Sequence, residues 1–293
     1  MALVTASDGL PARDSGPWAR QKLEFLDYFC PSALQATARK RERYFVDLFA
    51  GPGINVERDL ARHEFEGSPL RVLQYCAPQN DRIAFTHAVF VNNVTSVRDA
   101  LERRISRAYE SRHPKIPRNN IRNIFGDSNK IMADILAAVP HLAYAFVFAD
   151  IEAPNQLPWQ TVAALRAQGH RSIDLYVLFP LDMALQRLMS YTDGARPRYA
   201  TQLNRFFGTD EWRKVASARV SNAQAGDLRR GLVELYLAQL RRHWSTAGEV
   251  MDVHLRGRQR LYKMLFATDH PAGVRIADWI TTKTLRDQRD LFS

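Results

Sequence analysis

Between residues 44 and 179 the chain alternates five strand-length runs with stretches of helical periodicity, and this alternation constrains the fold more than any other feature. The runs are Tyr44 to Val46, Ile83 to Val91, Asn119 to Phe125, Ala143 to Ala149 and Ile173 to Phe179. Helical segments fall between them at Ser68 onward, Val94 to Glu110, Asn129 to Val139 and Trp159 to Gln168. The first of these opens with Ser68 as N-cap and Pro69 at the first helical position, where a missing N–H costs nothing. Ala143 to Ala149 is apolar throughout, as a central parallel strand buried on both faces must be. Strands alternating with helices predict an α/β fold built on a doubly wound, mostly parallel sheet.

The pattern changes after Leu181. Leu181 to Tyr191, Tyr199 to Phe207 and Asp227 to His243 read as helices, and residues 181 to 228 as a helical insertion that forms a lid or partner surface. Glu249 to Leu255 and Leu261 to Thr268 then flank the turn Arg256-Gly-Arg-Gln-Arg260, which predicts a C-terminal antiparallel hairpin. Ahead of the sheet, Trp18 to Ala38 is an amphipathic helix, with an apolar stripe through Leu23, Phe25, Leu26 and Phe29. Residues 1 to 16 are small, polar and broken by Gly and Pro, and are expected to be a flexible tail before one α/β domain over 17 to 293. Asn55 to Glu66 reads as a loop over the site mouth.

The end of the first strand carries the densest chemical signal. In Tyr44-Phe-Val-Asp-Leu-Phe-Ala-Gly-Pro-Gly53 an aspartate meets a turn at Gly51 and Gly53, where glycine lets the backbone turn sharply and a ligand approach closely. The stretch is neither the dinucleotide G-x-G-x-x-G nor a P-loop, which needs Lys-Ser/Thr. Asp47, Phe49, Gly51 and Gly53 spell D-x-F-x-G-x-G, which resembles motif I of class I S-adenosylmethionine (SAM)-dependent methyltransferases. A tight strand-to-helix turn without a ligand is the plainer alternative.

Further motifs extend the likeness. Gly67-Ser-Pro-Leu70, Gly126-Asp-Ser-Asn129, Ala145 to Asp150, Asp174 to Pro180 and Leu261 to Thr268 follow in order, with Trp18 and Lys22 ahead of them. Together they resemble the three-Cys-motif partner (TcmP) family over about residues 17 to 285. The resemblance implies a class I methyltransferase (Rossmann-like) sheet ending in the antiparallel hairpin, SAM as cofactor, and a three-cysteine, radical-SAM-like protein as partner. Asp47, Phe49, Gly51 and Gly53 would then line the methionine end of the SAM pocket, Asn92 would face the ribose, and Asp127 the adenine amino group. Asp127 also suits an N-cap for the helix near Asn129, and the two roles are compatible.

Two positions depart from the methyltransferase pattern. The second strand ends in Asn92 and Asn93 where a carboxylate normally takes the ribose hydroxyls, so the charge-assisted bond is lost. The fourth strand ends Asp150-Ile-Glu152-Ala-Pro154, without the Pro and aromatic that follow the polar residue in amino-methylating enzymes; Pro154 and Trp159 are the nearest substitutes. Asp150 and Glu152 are the catalytic candidates, Asp150 as the group that orients a target amine. Asp47, Asp127, Asp150 and Glu152 on one sheet edge also admit metal-dependent hydrolysis. The resulting expectation is a SAM-dependent methyltransferase acting on nucleic acid; the alternative is a methyltransferase-like subunit that binds nucleic acid or a partner without chemistry.

Charge points the same way. Forty-one Lys and Arg against thirty-one acids give +10, which favours a polyanionic partner. Arg256, Arg258, Arg260 and Lys263 in and beside the hairpin turn are the nucleic-acid candidates, since guanidinium forks match phosphate geometry. The arginines from Arg98 to Arg122 read instead as a solvated surface partly neutralised by Asp99, Glu102 and Glu110. Cys30 and Cys76 suit a reducing cytosol, the histidines lack ligand spacing, and no metal is expected. With neither a signal-peptide pattern nor a bilayer-length apolar run, the chain reads as cytoplasmic.

Overall fold

A computed structural model describes residues 2–16, 18–57, 63–75, 83–167, 169, 172–181, 185, 197–217, 225–254 and 260–290. In chain order its elements begin with β1 (Leu3–Thr5), β2 (Pro11–Ser15), α1 (Trp18–Ala36) and β3 (Arg43–Asp47). Next come β4 (Ile54–Glu57), β5 (Glu64–Glu66), α2 (Ser68–Tyr75), β6 (His87–Asn92), α3 (Thr95–Arg112) and β7 (Ile121–Phe125). They are followed by α4 (Met132–Ala137), β8 (Tyr144–Ala149), α5 (Trp159–Ala167) and β9 (Ile173–Phe179). The last are α6 (Pro197–Phe207), α7 (Trp212–Ser217), α8 (Ala225–Leu240), β10 (Thr246–His254), β11 (Arg260–Thr268) and α9 (Pro271–Asp290).

Seven strands form the main sheet in the order β10-β11-β9-β8-β3-β6-β7. From β7 to β9 the neighbours run parallel, while β11 lies antiparallel to both β9 and β10. Counted along the chain, the first five strands of this sheet stand in the order 3-2-1-4-5, and a hairpin closes the far edge. The mostly parallel α/β sheet expected from the alternation is therefore present.

Side-chain size separates the two faces of this sheet. Phe45, Phe90, Phe146, Phe148, Tyr176 and Phe266 point to one side, which α1, α2, α3 and α9 cover. Val46, Val89, Val91, Ala145, Val147 and Val177 point to the other, beneath α4 to α8. Successive residues of a strand face opposite ways, so each buried strand feeds both cores. On the aromatic side Phe25 of α1 stacks on Tyr176 at 4.2 Å between ring centroids, and Phe29 on Phe146 at 4.8 Å. Where it is described, the helical stretch after β9 packs its apolar side into the core. Leu203, Phe206 and Phe207 of α6 and Trp212 of α7 are fully buried in the aliphatic-side core.

The amino-terminal region also departs from expectation. Residues 3–15 form β1 and β2, which join β4 and β5 in a second sheet of order β1-β2-β4-β5. The stretch expected to be a loop over the site thus supplies strands, and the expected tail is pinned. Arg104 of α3, buried at 4% exposure, donates to Asp8 (2.8 and 2.9 Å) and to the carbonyls of Pro11 (2.7 Å) and Pro52 (2.8 Å). Such charge-assisted bonds hold short polar strands that have little apolar surface to bury. Other arginines of that segment are paired as well: Arg98 with Asp99, Arg112 with Glu66 and Arg118 with Glu102.

Candidate functional site

The chain leaves β3 for β6 and β7 on one side and for β8 and β9 on the other, so the sheet has its switch point between β3 and β8. A cavity of about 290 Å³ opens there at the carboxyl ends of the strands, where open α/β sheets take ligands. Phe49, Gly51, Asn92, Asp127, Asp150 and Glu152 all line it. Six positions singled out in sequence, spread over a hundred residues, therefore meet in one place.

The glycine turn has a backbone cause. Gly51 and Gly53 stand at φ +68° and +90°, a region that L side chains rarely adopt. At Gly53 a Cβ would also come within 3.0 Å of Leu101 in α3. Gly53 contributes to an adjoining crevice rather than to the main cavity. Asp47 braces the turn from behind. Fully buried, its carboxylate accepts from the Ser68 hydroxyl (2.5 Å) and the Phe49 N–H (3.1 Å) and does not line the cavity. Burial, only partly offset by those two bonds, pushes this carboxyl up to about 7.

Asn92 donates its amide N–H to the Gly51 carbonyl at 3.1 Å and so ties the second strand to the turn. Asp127 follows β7, half-buried, and one of its oxygens accepts from the Asn129 N–H (3.0 Å) and side-chain amide (3.1 Å). Its side chain thus closes a turn two residues ahead, and α4 starts only at Met132.

Asp150 is the most heavily bonded group of the site. Continuing β8 on its aromatic side, it is 9% exposed and takes two bonds from Lys22 Nζ (2.7 and 2.8 Å) and one from Arg13 (3.0 Å). Arg13 reaches Glu152 with its other nitrogen at 2.5 Å. Burial alone would raise the Asp150 carboxyl, but Lys22 and Arg13 more than offset it and hold the group below the usual carboxylate range. Desolvation in turn lowers Lys22 despite Asp150. The Glu152 and Ala153 N–H groups donate to the Gln156 side chain (2.5 and 3.1 Å), fixing the segment after β8.

The sequence pattern assigns no role to Lys22 or Arg13. Lys22 does carry a signal: it falls on the stripe of Phe25, Leu26 and Phe29, where a buried lysine needs a partner. Arg13 lay in the segment expected to be a tail. Trp159, weighed as a substitute stacking aromatic, turns away from the cavity and packs edge-on against Tyr236 of α8 at 5.6 Å. Phe49 is the aromatic side chain on the cavity wall.

The basic hairpin is a different case. Arg256 and Arg258 lie outside the described residues, and Arg260 opens β11. Lys263 is ion-paired across the hairpin with Glu249 and with Asp252 (3.1 Å), so acids on β10 neutralise a residue whose own strand offers none. Among the described residues, no helix is long and apolar enough to cross a membrane.

The fold and site define a mostly parallel α/β protein with a polar cavity at its switch point. No family model matches the sequence, and neither does any curated protein. Among solved structures the chain is similar to protein LPL1258 from Legionella pneumophila str. Philadelphia 1, described as family-model DUF519. The identity is 10%, over 89% of this chain and 90% of that one, with a TM-score of 0.49. Nothing about activity follows from a likeness of that size.

Proposed function

We propose that this chain is a SAM-dependent methyltransferase of the class I type that acts on nucleic acid in the cytoplasm. A three-cysteine, radical-SAM-like protein as partner, implied by the TcmP resemblance, belongs to the same proposal. The observation that carries it is the convergence of Phe49, Gly51, Asn92 and Asp127 from three successive strand ends on one cavity beside Asp150. The 3-2-1-4-5 strand order with a closing hairpin supports the class I assignment.

In this reading Asp127 would accept from the adenine amine, the side-chain carbonyl of Asn92 from a ribose hydroxyl, and the Gly51 turn would admit the methionine end. Bound SAM would supply the electrophilic methyl group, and this chain's residues would align an acceptor nitrogen with it. Alignment carries most of the rate. An acceptor amine would share Asp150 with Lys22 and Arg13, which already make three bonds to it. That competition favours a second reading, a methyltransferase-shaped subunit that binds nucleic acid or a partner without chemistry.

Transfer of labelled methyl from SAM to mixed RNA and DNA separates the two. The enzyme reading expects incorporation that Asp150→Asn lowers at least about a hundredfold while SAM still binds. SAM binding with no incorporation into either pool leaves the second reading.

A further inference from the structure

The opposite edge of the sheet holds a second cleft, of about 650 Å³, beneath the C-terminal end of α1 and the start of α9. Two opposite charges line it without meeting each other. Asp174, near the start of β9 on the aromatic side of the sheet, is 6% exposed. Its partners are neutral: the Tyr144 hydroxyl at 2.9 Å and the Thr268 hydroxyl. Lys40, just beyond α1, donates only to neutral oxygens, those of the Ser172 hydroxyl (3.0 Å) and the Leu142 carbonyl (3.3 Å). Neither forms an ion pair among the described residues. Ser172 and Asp174 are two apart at the start of β9, so the lysine's anchor and the carboxylate share one side of the strand.

The remaining charged groups leave this pair uncompensated. Asp269 is bound by Arg166 and by the Ser245 N–H and hydroxyl. His270 caps α9, its Nδ1 accepting from the Ala272 N–H at 3.1 Å, and Arg39 stands at the rim. A buried carboxylate without a counter-ion is costly, and a ligand that brings one regains that cost on binding. Ala33, Ala36, Ala272 and Ile276 give the cleft an apolar wall between the charged points.

We propose that this cleft binds a small zwitterion of the amino-acid class, its ammonium on Asp174 and its carboxylate on Lys40. The site is independent of the SAM reading. It is separate from the switch-point cavity, with which it shares no lining residue.

Calorimetric titration of the full chain with L-leucine and γ-aminobutyrate tests it, with n-butylamine and butyrate as single-charge controls. At least one zwitterion is expected to bind saturably near neutral pH, and each control at least about tenfold more weakly. Asp174→Asn and Lys40→Met are each expected to weaken binding by about tenfold or more. Burial pushes the Asp174 carboxyl up to about 6, so binding near pH 5 should fall about tenfold as the group protonates. Ala36→Phe, at an exposed rim position, blocks the cleft without touching either charge and should abolish binding while the fold persists. The proposal is overturned if neither zwitterion binds at millimolar concentration, if n-butylamine binds as tightly, or if Asp174→Asn and Lys40→Met leave affinity unchanged.

Discussion

Two aspartates lie at opposite ends of the aromatic face beneath α1, and their surroundings make them different acids. Asp150 ends this face at the carboxyl edge and Asp174 begins it at the amino edge, with Phe146, Phe148 and Tyr176 between. Both are at least nine-tenths buried, and burial pushes both carboxyls up. Lys22 and Arg13 reverse that at Asp150 and keep it ionised, while the hydroxyls at Asp174 only moderate it. Asp47, also held by neutral donors, follows Asp174. Depth of burial is nearly the same; the charge of the partner decides the protonation state.

The largest effect should come from breaking the cationic end. Lys22→Met leaves Asp150 with Arg13 alone and is expected to cost about 3–5 kcal/mol in urea unfolding. A loss below about 1 kcal/mol would mean that Arg13 suffices and that the contrast lies elsewhere.

Next in size is the neutral end, and its sign is opposite. Asp174 binds its proton more tightly folded than unfolded, so stability falls as pH rises from about 4 to about 6 and stays lower above that. Asp174→Asn removes the titrating group and should flatten that slope, gaining up to about 3 kcal/mol near pH 8. Asp150→Asn should instead destabilise at neutral pH, because the wild-type carboxylate contributes stability above its unfolded value that is lost in acid. Equal slopes for the two variants would erase the comparison.

The smallest effect is expected at Lys263, which is 14% exposed but shares its charge between two acids that keep contact with water, Glu249 at 42% and Asp252 at 20% exposure. Lys263→Ala should cost no more than about 1 kcal/mol.

The elements that were legible in the sequence are those whose residues declare their own period. β8 is apolar throughout and β9 is apolar but for Asp174, α1 has a clean stripe, and the glycine turn announces the end of β3. Gly51, Asn92, Asp127 and Asp150 could be grouped because each closes a strand at the same edge. What stayed hidden depends on partners far along the chain. Arg13 and Lys22 find Asp150 across 137 and 128 residues, and β1 and β2 are held by Arg104 from α3 rather than by an apolar pattern. The burial of α6 and α7 was hidden for the same reason, because their apolar faces fill a core assembled from strands much earlier in the chain.

The most direct test of the site is isothermal titration of SAM into the wild-type protein and into Asp127→Ala, whose side chain lies on the cavity wall. Saturable micromolar binding, weakened at least about tenfold in the variant, is the expected result. No saturable heat at millimolar SAM, or equal affinity in the variant, would contradict a nucleoside cofactor at the switch point.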